Sequence, residues 1–171
     1  KVLIIFQIMV IINYFHQNGY VYRDLKPNNV IIDDNKTIFI IDFDRLIKAQ
    51  NQSVNDEYTN DFNSSFVAPE INYGEVKYES DIYSIGKMID YIMNIQINET
   101  ENQSNIQKKV YSILHLIYKK CTDDNAKERL SISELMFAFY SIFYTDIDNS
   151  FMKKIDEIKY FRGLINYEKE Y

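Results

Sequence analysis

Three oxygen-bearing side chains set the chemistry of this chain: Asp24 and Asn29, within Tyr22-Arg23-Asp24-Leu25-Lys26-Pro27-Asn28-Asn29, and Asp42, at the head of Asp42-Phe43-Asp44. Together they offer what phosphoryl transfer requires. Asp24 can accept the proton of an attacking hydroxyl, while the Asn29 amide and the Asp42 carboxylate can hold Mg²⁺ against nucleotide phosphates. Taken singly, each segment is bland, since an isolated Asp-Phe-Asp is most often a turn and an isolated Arg-Asp a surface ion pair.

These residues need elements to place them. Residues 2 to 17 are almost continuously apolar and end at Asn18-Gly19, which predicts a mostly buried helix that delivers the chain to residue 22. Val30 to Asp33 and Thr37 to Ile41 are short β-branched runs separated by the turn composition Asp33-Asp34-Asn35-Lys36, so a hairpin is expected with Asn29 and Asp42 at its strand ends. Arg45 to Phe66 is polar and aperiodic and reads as a long surface loop. A helix capped by Ser80 is expected from Asp81 to about Met93, with Ile82, Ile85, Met88, Ile89 and Ile92 as its buried face. A polar linker over 94 to 105 precedes helices over Ile106 to Lys119 and Ser131 to Tyr140, the latter opened by Ser131 or Ser133 with Glu134 as capping partner. A last, more exposed helix is expected within 145 to 171, with Ile155, Ile158, Phe161 and Ile165 as its stripe.

Bulk properties exclude several classes. At 171 residues the chain is one domain or a large piece of one, and 46% hydrophobic content argues for a packed globule rather than a disordered tail. A net charge of −6 argues against nucleic acid as a partner, since phosphate backbones are held by Lys and Arg clusters. The apolar run at Val2 to Ile12 is interrupted by Gln7 and too short to span a bilayer, so no membrane partner is expected. The single cysteine, Cys121, allows no internal disulfide and suits a reducing compartment, which makes the cytoplasm, or the nucleus, the expected location. Cys121 is expected to be a buried apolar group and His115 a packed side chain, neither of them a ligand.

In order and spacing the motifs resemble the eukaryotic protein kinase superfamily, specifically its larger C-terminal lobe, over residues 1 to about 143. The catalytic-loop pattern His-Arg-Asp-Leu-Lys-Pro-x-Asn stands here as Tyr22 to Asn29, the metal motif Asp-Phe-Gly as Asp42-Phe43-Asp44, and Ala-Pro-Glu as Ala68-Pro69-Glu70. Ser80-Asp81-Ile82-Tyr83-Ser84-Ile85-Gly86 matches the central-helix signature and Arg129 the late arginine. The resemblance implies a mainly α fold with a small β-hairpin carrying the catalytic and metal-binding segments, ATP and Mg²⁺ as cofactors, and a protein as substrate. By the same resemblance Asp24 is the catalytic base. Lys26 stabilises the transferred phosphoryl group and marks serine/threonine substrates. Nucleotide contacts fall at Lys26, Asn28, Asn29 and Asp42, and Mg²⁺ is held by Asn29 and Asp42. Tyr22, Phe43, Glu70, Asp81 and Arg129 take structural roles, Glu70 pairing with Arg129 and Asp81 supporting the catalytic loop with His16. Arg23 suggests control by phosphorylation, with Thr59 the favoured acceptor and Tyr58, Ser64 and Ser65 the alternatives.

Departures from the pattern set further expectations. No Gly-rich loop, strand lysine or partner glutamate occurs, so the smaller N-terminal lobe is expected to lie in cis outside a sequence cut from something longer. These 171 residues alone are then expected to be inactive. Residues 144 to 171 form an expected C-terminal helical extension. Tyr22 replaces His, Asp44 replaces Gly, and Phe62-Asn63 replaces Gly-Thr near the substrate. The alternatives are a pseudokinase or scaffold without turnover and, third, a small-molecule phosphotransferase.

Overall fold

In a computed structural model, residues 1–49, 65–74, 77–97 and 105–144 are described. Helix α1 (Val2–Gln17) opens the chain and buries Ile5, Ile8, Met9 and Ile12, the spacing of one helical face. It stops where expected: Asn18 caps it and Gly19 adopts φ 78°, a left-handed turn conformation that glycine accepts without steric cost.

Strands β2 (Val30–Ile32) and β3 (Ile38–Ile40) form the expected antiparallel hairpin, with Ile31 opposite Phe39. Gln7, the polar residue inside the apolar helix, has a specific task. Its side-chain nitrogen donates to the Lys36 carbonyl at 2.9 Å and its oxygen accepts from Ile38 N–H at 3.2 Å, so α1 grips the hairpin. A second two-stranded ladder was not expected: β1 (Tyr20–Val21) pairs antiparallel with β4 (Ile47–Lys48), inside the stretch read as loop.

Helix α2 (Tyr78–Ile97) crosses the centre and packs against α1 and α3 (Asn105–Cys121), while α4 (Ile132–Tyr144) packs against α1 and α3. The start of α2 corrects the sequence reading. The helix begins before Ser80, whose hydroxyl donates to Glu70 Oε1 at 2.8 Å rather than capping the helix. It also runs through residues 94–97, read as linker. Gly86 lets α2 and α3 approach, because a Cβ there would lie 2.7 Å from Cys121 Cβ and 2.8 Å from Thr122 Cγ2. The capping box of α4 forms as expected, Glu134 N–H donating to Ser131 Oγ at 3.2 Å and Ser131 N–H to Glu134 Oε2 at 2.8 Å.

The main core cluster draws on all four helices, the inner face of β3, Tyr22 and Leu25, and a second, smaller cluster forms around Ala68 and Ile71. Cys121 lies within it, and burial pushes its thiol up to about 12. His115 is exposed, contrary to expectation, with its ring 5.9 Å from that of Tyr118. No helix among the described residues is long and apolar enough to cross a membrane. The expected helix in 145–171 lies outside the described residues.

Candidate active site

The segment Tyr22–Asn29 is built on a carboxylate from the central helix. Asp81, fully buried in the first turn of α2, accepts Tyr22 N–H on Oδ2 at 2.9 Å and Arg23 N–H on Oδ1 at 2.8 Å. His16 Nε2 lies 2.8 Å from Oδ2, and the ring must be the donor while the carboxylate is ionised. With successive N–H groups tied to one carboxylate, the backbone turns sharply and Arg23 takes φ 67°, a conformation that a non-glycine residue rarely holds without such restraint. The expected supporting shell of Asp81 and His16 is therefore in place.

The turn leads directly into Asp24, which is 3% exposed. Lys26 Nζ reaches both its carboxylate oxygens, at 3.0 and 2.8 Å. Lys26 is extended and Pro27 opens a single 3₁₀ turn, Pro27–Asn29, for which a proline at the first position is pre-shaped. That turn swings Asn29 back, and its side-chain nitrogen donates to the Asp24 carbonyl at 2.9 Å and to Asp24 Oδ2 at 3.0 Å. An amide so engaged has its oxygen on the opposite side, away from Asp24. Asn28, in the same turn, is exposed.

Asp42 arrives through the hairpin. Ile41 N–H donates to the Asn29 carbonyl at 3.0 Å, extending the β2–β3 ladder by one rung and making Asp42 the next residue beyond Asn29. Asp42 has φ 65°, and its exposed carboxylate makes no hydrogen bond or ion pair with another described residue. The Tyr22 hydroxyl donates to the Ile41 carbonyl at 2.5 Å and so fastens the segment that holds Asp24 to the one that holds Asp42. Burial raises the Tyr22 phenol pKa most, the charges of Asp24, Asp42 and Asp81 add to this, and a bond with Asn29 opposes it. The phenol thus stays a proton donor. Phe43 completes the joint: its ring meets Tyr22 and Phe15 edge-on, both at 6.0 Å, and Phe15 stacks on Tyr22 at 5.9 Å.

The donor set suits Mg²⁺. One open carboxylate and one amide oxygen are hard ligands, and Mg²⁺ commonly takes few protein oxygens and completes its octahedron with phosphate and water. Among the described residues no group of three or more His, Cys, Asp or Glu could hold a metal ion.

Behind the site, Glu70 and Arg129 make a two-pronged ion pair, Nη1 to Oε1 at 2.6 Å and Nη2 to Oε2 at 3.0 Å. Arg129 also donates to the carbonyls of Glu79 at 3.0 Å and Asp123 at 2.8 Å, and its guanidinium lies 5.0 Å from the Tyr83 ring centre. Burial raises the Glu70 pKa, but bonds from Arg129, its own backbone N–H and Ser80 prevail and hold the carboxyl below its ordinary value.

Sequence reasoning missed Arg45, whose Nη1 lies 3.7 Å from Asp24 Oδ1 and whose carbonyl accepts from Arg23 Nε at 2.8 Å. The signal was the register of β1 and β4, which sets residue 23 opposite residue 45, but two-residue strands leave no readable period. Arg23, expected to face a phosphorylated side chain, is buried. Thr59, Tyr58, Ser64 and Phe62-Asn63 lie outside the described residues.

Comparison with known proteins points the same way. A protein of Acanthamoeba polyphaga mimivirus named as a putative serine/threonine-protein kinase is 28% identical over 148 residues, covering 77% of this chain and 53% of its own. Calcium-dependent protein kinase 27 of Arabidopsis thaliana is 27% identical over 155 residues, covering 78% of this chain and 31% of its own. Maternal embryonic leucine zipper kinase of Xenopus laevis is 33% identical over 89 residues, 51% of this chain and 14% of its own. The chain thus spans about half the length of the viral relative and less of the other two. The family model described as protein kinase domain matches residues 2–148, and the chain belongs to that family.

Proposed function

We propose that this chain is the larger, C-terminal lobe of a serine/threonine protein kinase, transferring the γ-phosphoryl group of ATP to a protein hydroxyl with Mg²⁺ as cofactor. The motif order supports the lobe assignment, because the helix preceding the catalytic loop comes first. On this reading residues 1–143 are the lobe, 144–171 a C-terminal extension, and the smaller lobe lies in cis upstream. The single cysteine suits a cytoplasmic or nuclear protein.

The roles follow from position. Asp24 accepts the proton of the substrate hydroxyl, and Lys26 faces the transferred group. Asn29 and Asp42 hold Mg²⁺, which would neutralise charge on the phosphates. Asn28 lies beside the nucleotide phosphates. Arg23 and Thr59 belong to the same reading as a phosphorylation-controlled pair. The observation that carries the proposal is the 3.0 Å contact of Asn29 with Asp24 beside the backbone rung that brings up Asp42.

The test is phosphate transfer from radiolabelled ATP to a mixed Ser/Thr peptide library by the whole protein, with Mg²⁺ and with a chelator. Transfer that requires Mg²⁺ and fails in Asp42→Ala supports the reading. Nucleotide binding without transfer would make the protein a binding module on the same fold, an outcome that the charge of Asp44 in the metal motif favours.

A further inference from the structure

We infer that Arg45 is a second phosphoryl-contacting cation of this site, acting beside Lys26 when the group is transferred. The inference rests on the assignment of Asp24 as hydroxyl acceptor. Arg45 sits in a tight turn closed by Leu46 N–H donating to the Phe43 carbonyl at 3.0 Å. The turn leads directly into β4, whose pairing with β1 carries the residue alongside the catalytic segment. Arg23 Nε holds the Arg45 carbonyl at 2.8 Å, so the backbone that aims this side chain is itself fixed by the catalytic loop.

The plain alternative is that Arg45 only neutralises a buried carboxylate. Lys26 already contacts both oxygens of Asp24, and Asn29 donates to one of them, so neutralisation has been met without Arg45. At 3.7 Å from Oδ1 the guanidinium stands near the carboxylate yet beyond hydrogen-bond reach, and its side chain is 22% exposed. A hydroxyl can therefore approach Oδ1 without displacing it. Lys26 and Arg45 thus set two cationic groups on either side of the Asp24 carboxylate, where the anionic group would arrive.

As the hydroxyl oxygen bonds to phosphorus, the bond from phosphorus to the diphosphate oxygen breaks and its electron pair leaves with the diphosphate. The hydroxyl proton passes to Asp24. Reacting atoms about 3–3.5 Å apart put the equatorial phosphoryl oxygens within range of any cation flanking Asp24. A guanidinium can present two parallel N–H groups to two such oxygens, where an ammonium offers a point charge.

The experiment compares Arg45→Met and Arg45→Lys in the whole protein. It reads kcat and KM for a peptide, together with calorimetric affinity for Mg·ADP with and without aluminium fluoride, a mimic of the transferred group. The expected result for Arg45→Met is a loss in kcat of roughly 10–1,000-fold, the scale for removing one preorganised donor, with peptide KM little changed. Arg45→Lys should recover part of the loss. Arg45→Met should bind Mg·ADP as the parent does but lose the added affinity from aluminium fluoride. The inference is overturned by a kcat equal to or above the parent, by an intact fluoride gain, or by equal losses in both variants with a lowered melting temperature. Asp24→Asn separates the two claims: full activity in that variant removes the hydroxyl-acceptor assignment whatever Arg45 does.

Discussion

Asp24 and Asp81 are both buried carboxylates, 3% and 0% exposed, and Asp24 stands only two positions from Tyr22, the first N–H that Asp81 holds. Their donors differ in kind. Asp81 is met by a histidine and by two backbone N–H groups, drawn from residues 58 to 65 positions away, and the N–H groups cannot turn aside without moving the chain. Asp24 is met by the ends of side chains: Lys26, two positions away, Asn29, five positions away, and Arg45 across the sheet. A lysine ammonium, on a flexible stem with a 28% exposed side chain, can exchange one oxygen for another at little cost. One carboxylate is thus committed to holding the loop, and the other is left able to change partners during a reaction.

The hardest test of that division is Asp24→Asn. The amide keeps an oxygen for Lys26 but cannot take a proton, so transfer should fall by about 10²–10⁴-fold while the melting temperature moves little. A variant that unfolded instead would make Asp24 a second structural carboxylate. The foundation should behave in the opposite way. Arg129→Met leaves Glu70 charged and part-buried without its partner, a loss of about 3–5 kcal/mol in denaturant unfolding. Any fall in activity should follow the folded fraction.

The same contrast explains what was legible. Local contacts could be read from composition and spacing: the Ser131–Glu134 cap, the Gly19 stop and the hairpin turn. Long-range anchors such as Glu70–Arg129 and His16–Asp81 came only through the family resemblance, because nothing local marks which carboxylate meets which cation across 59 or 65 positions. Arg45 and the β1–β4 ladder escaped both routes. Ser80 was misread because a serine beside an apolar run resembles a cap, whereas its hydroxyl serves Glu70 from inside the helix. The left-handed backbones of Arg23 and Asp42 were not legible at all, since neither is glycine, and the one at Arg23 is held by Asp81, 58 positions away.

Asp81→Asn probes the foundation more gently. One oxygen remains to accept from Tyr22 or Arg23, and the other N–H then faces an amide NH₂, a buried donor left unmet at a cost of about 1–3 kcal/mol. Because the loop it releases carries Asp24, kcat should fall together with stability, unlike in Asp24→Asn. Loss of stability with unchanged kcat would show that the loop keeps its shape without this carboxylate.

The smallest effect is a pH dependence, and it belongs to the foundation alone. The folded pKa of Glu70 lies below the ordinary 4.5 that the unfolded chain should show, so near that pH the unfolded state binds more protons. The resulting stabilisation is complete above about pH 4.5 and is lost as the pH falls through the lower folded value. Glu70→Gln removes the titrating group while keeping an acceptor for Arg129. The stability difference between parent and variant should therefore be flat above about pH 4.5 and shrink below it, measured by urea unfolding at a series of pH values. Taking the difference cancels the other carboxyls, including Glu134, whose pKa is also lowered by its bonds to Ser131. A difference that stayed flat through the acid range would mean that the Arg129 contact leaves the Glu70 proton equilibrium unmoved, and the ion pair would then hold the fold by its hydrogen bonds rather than by charge.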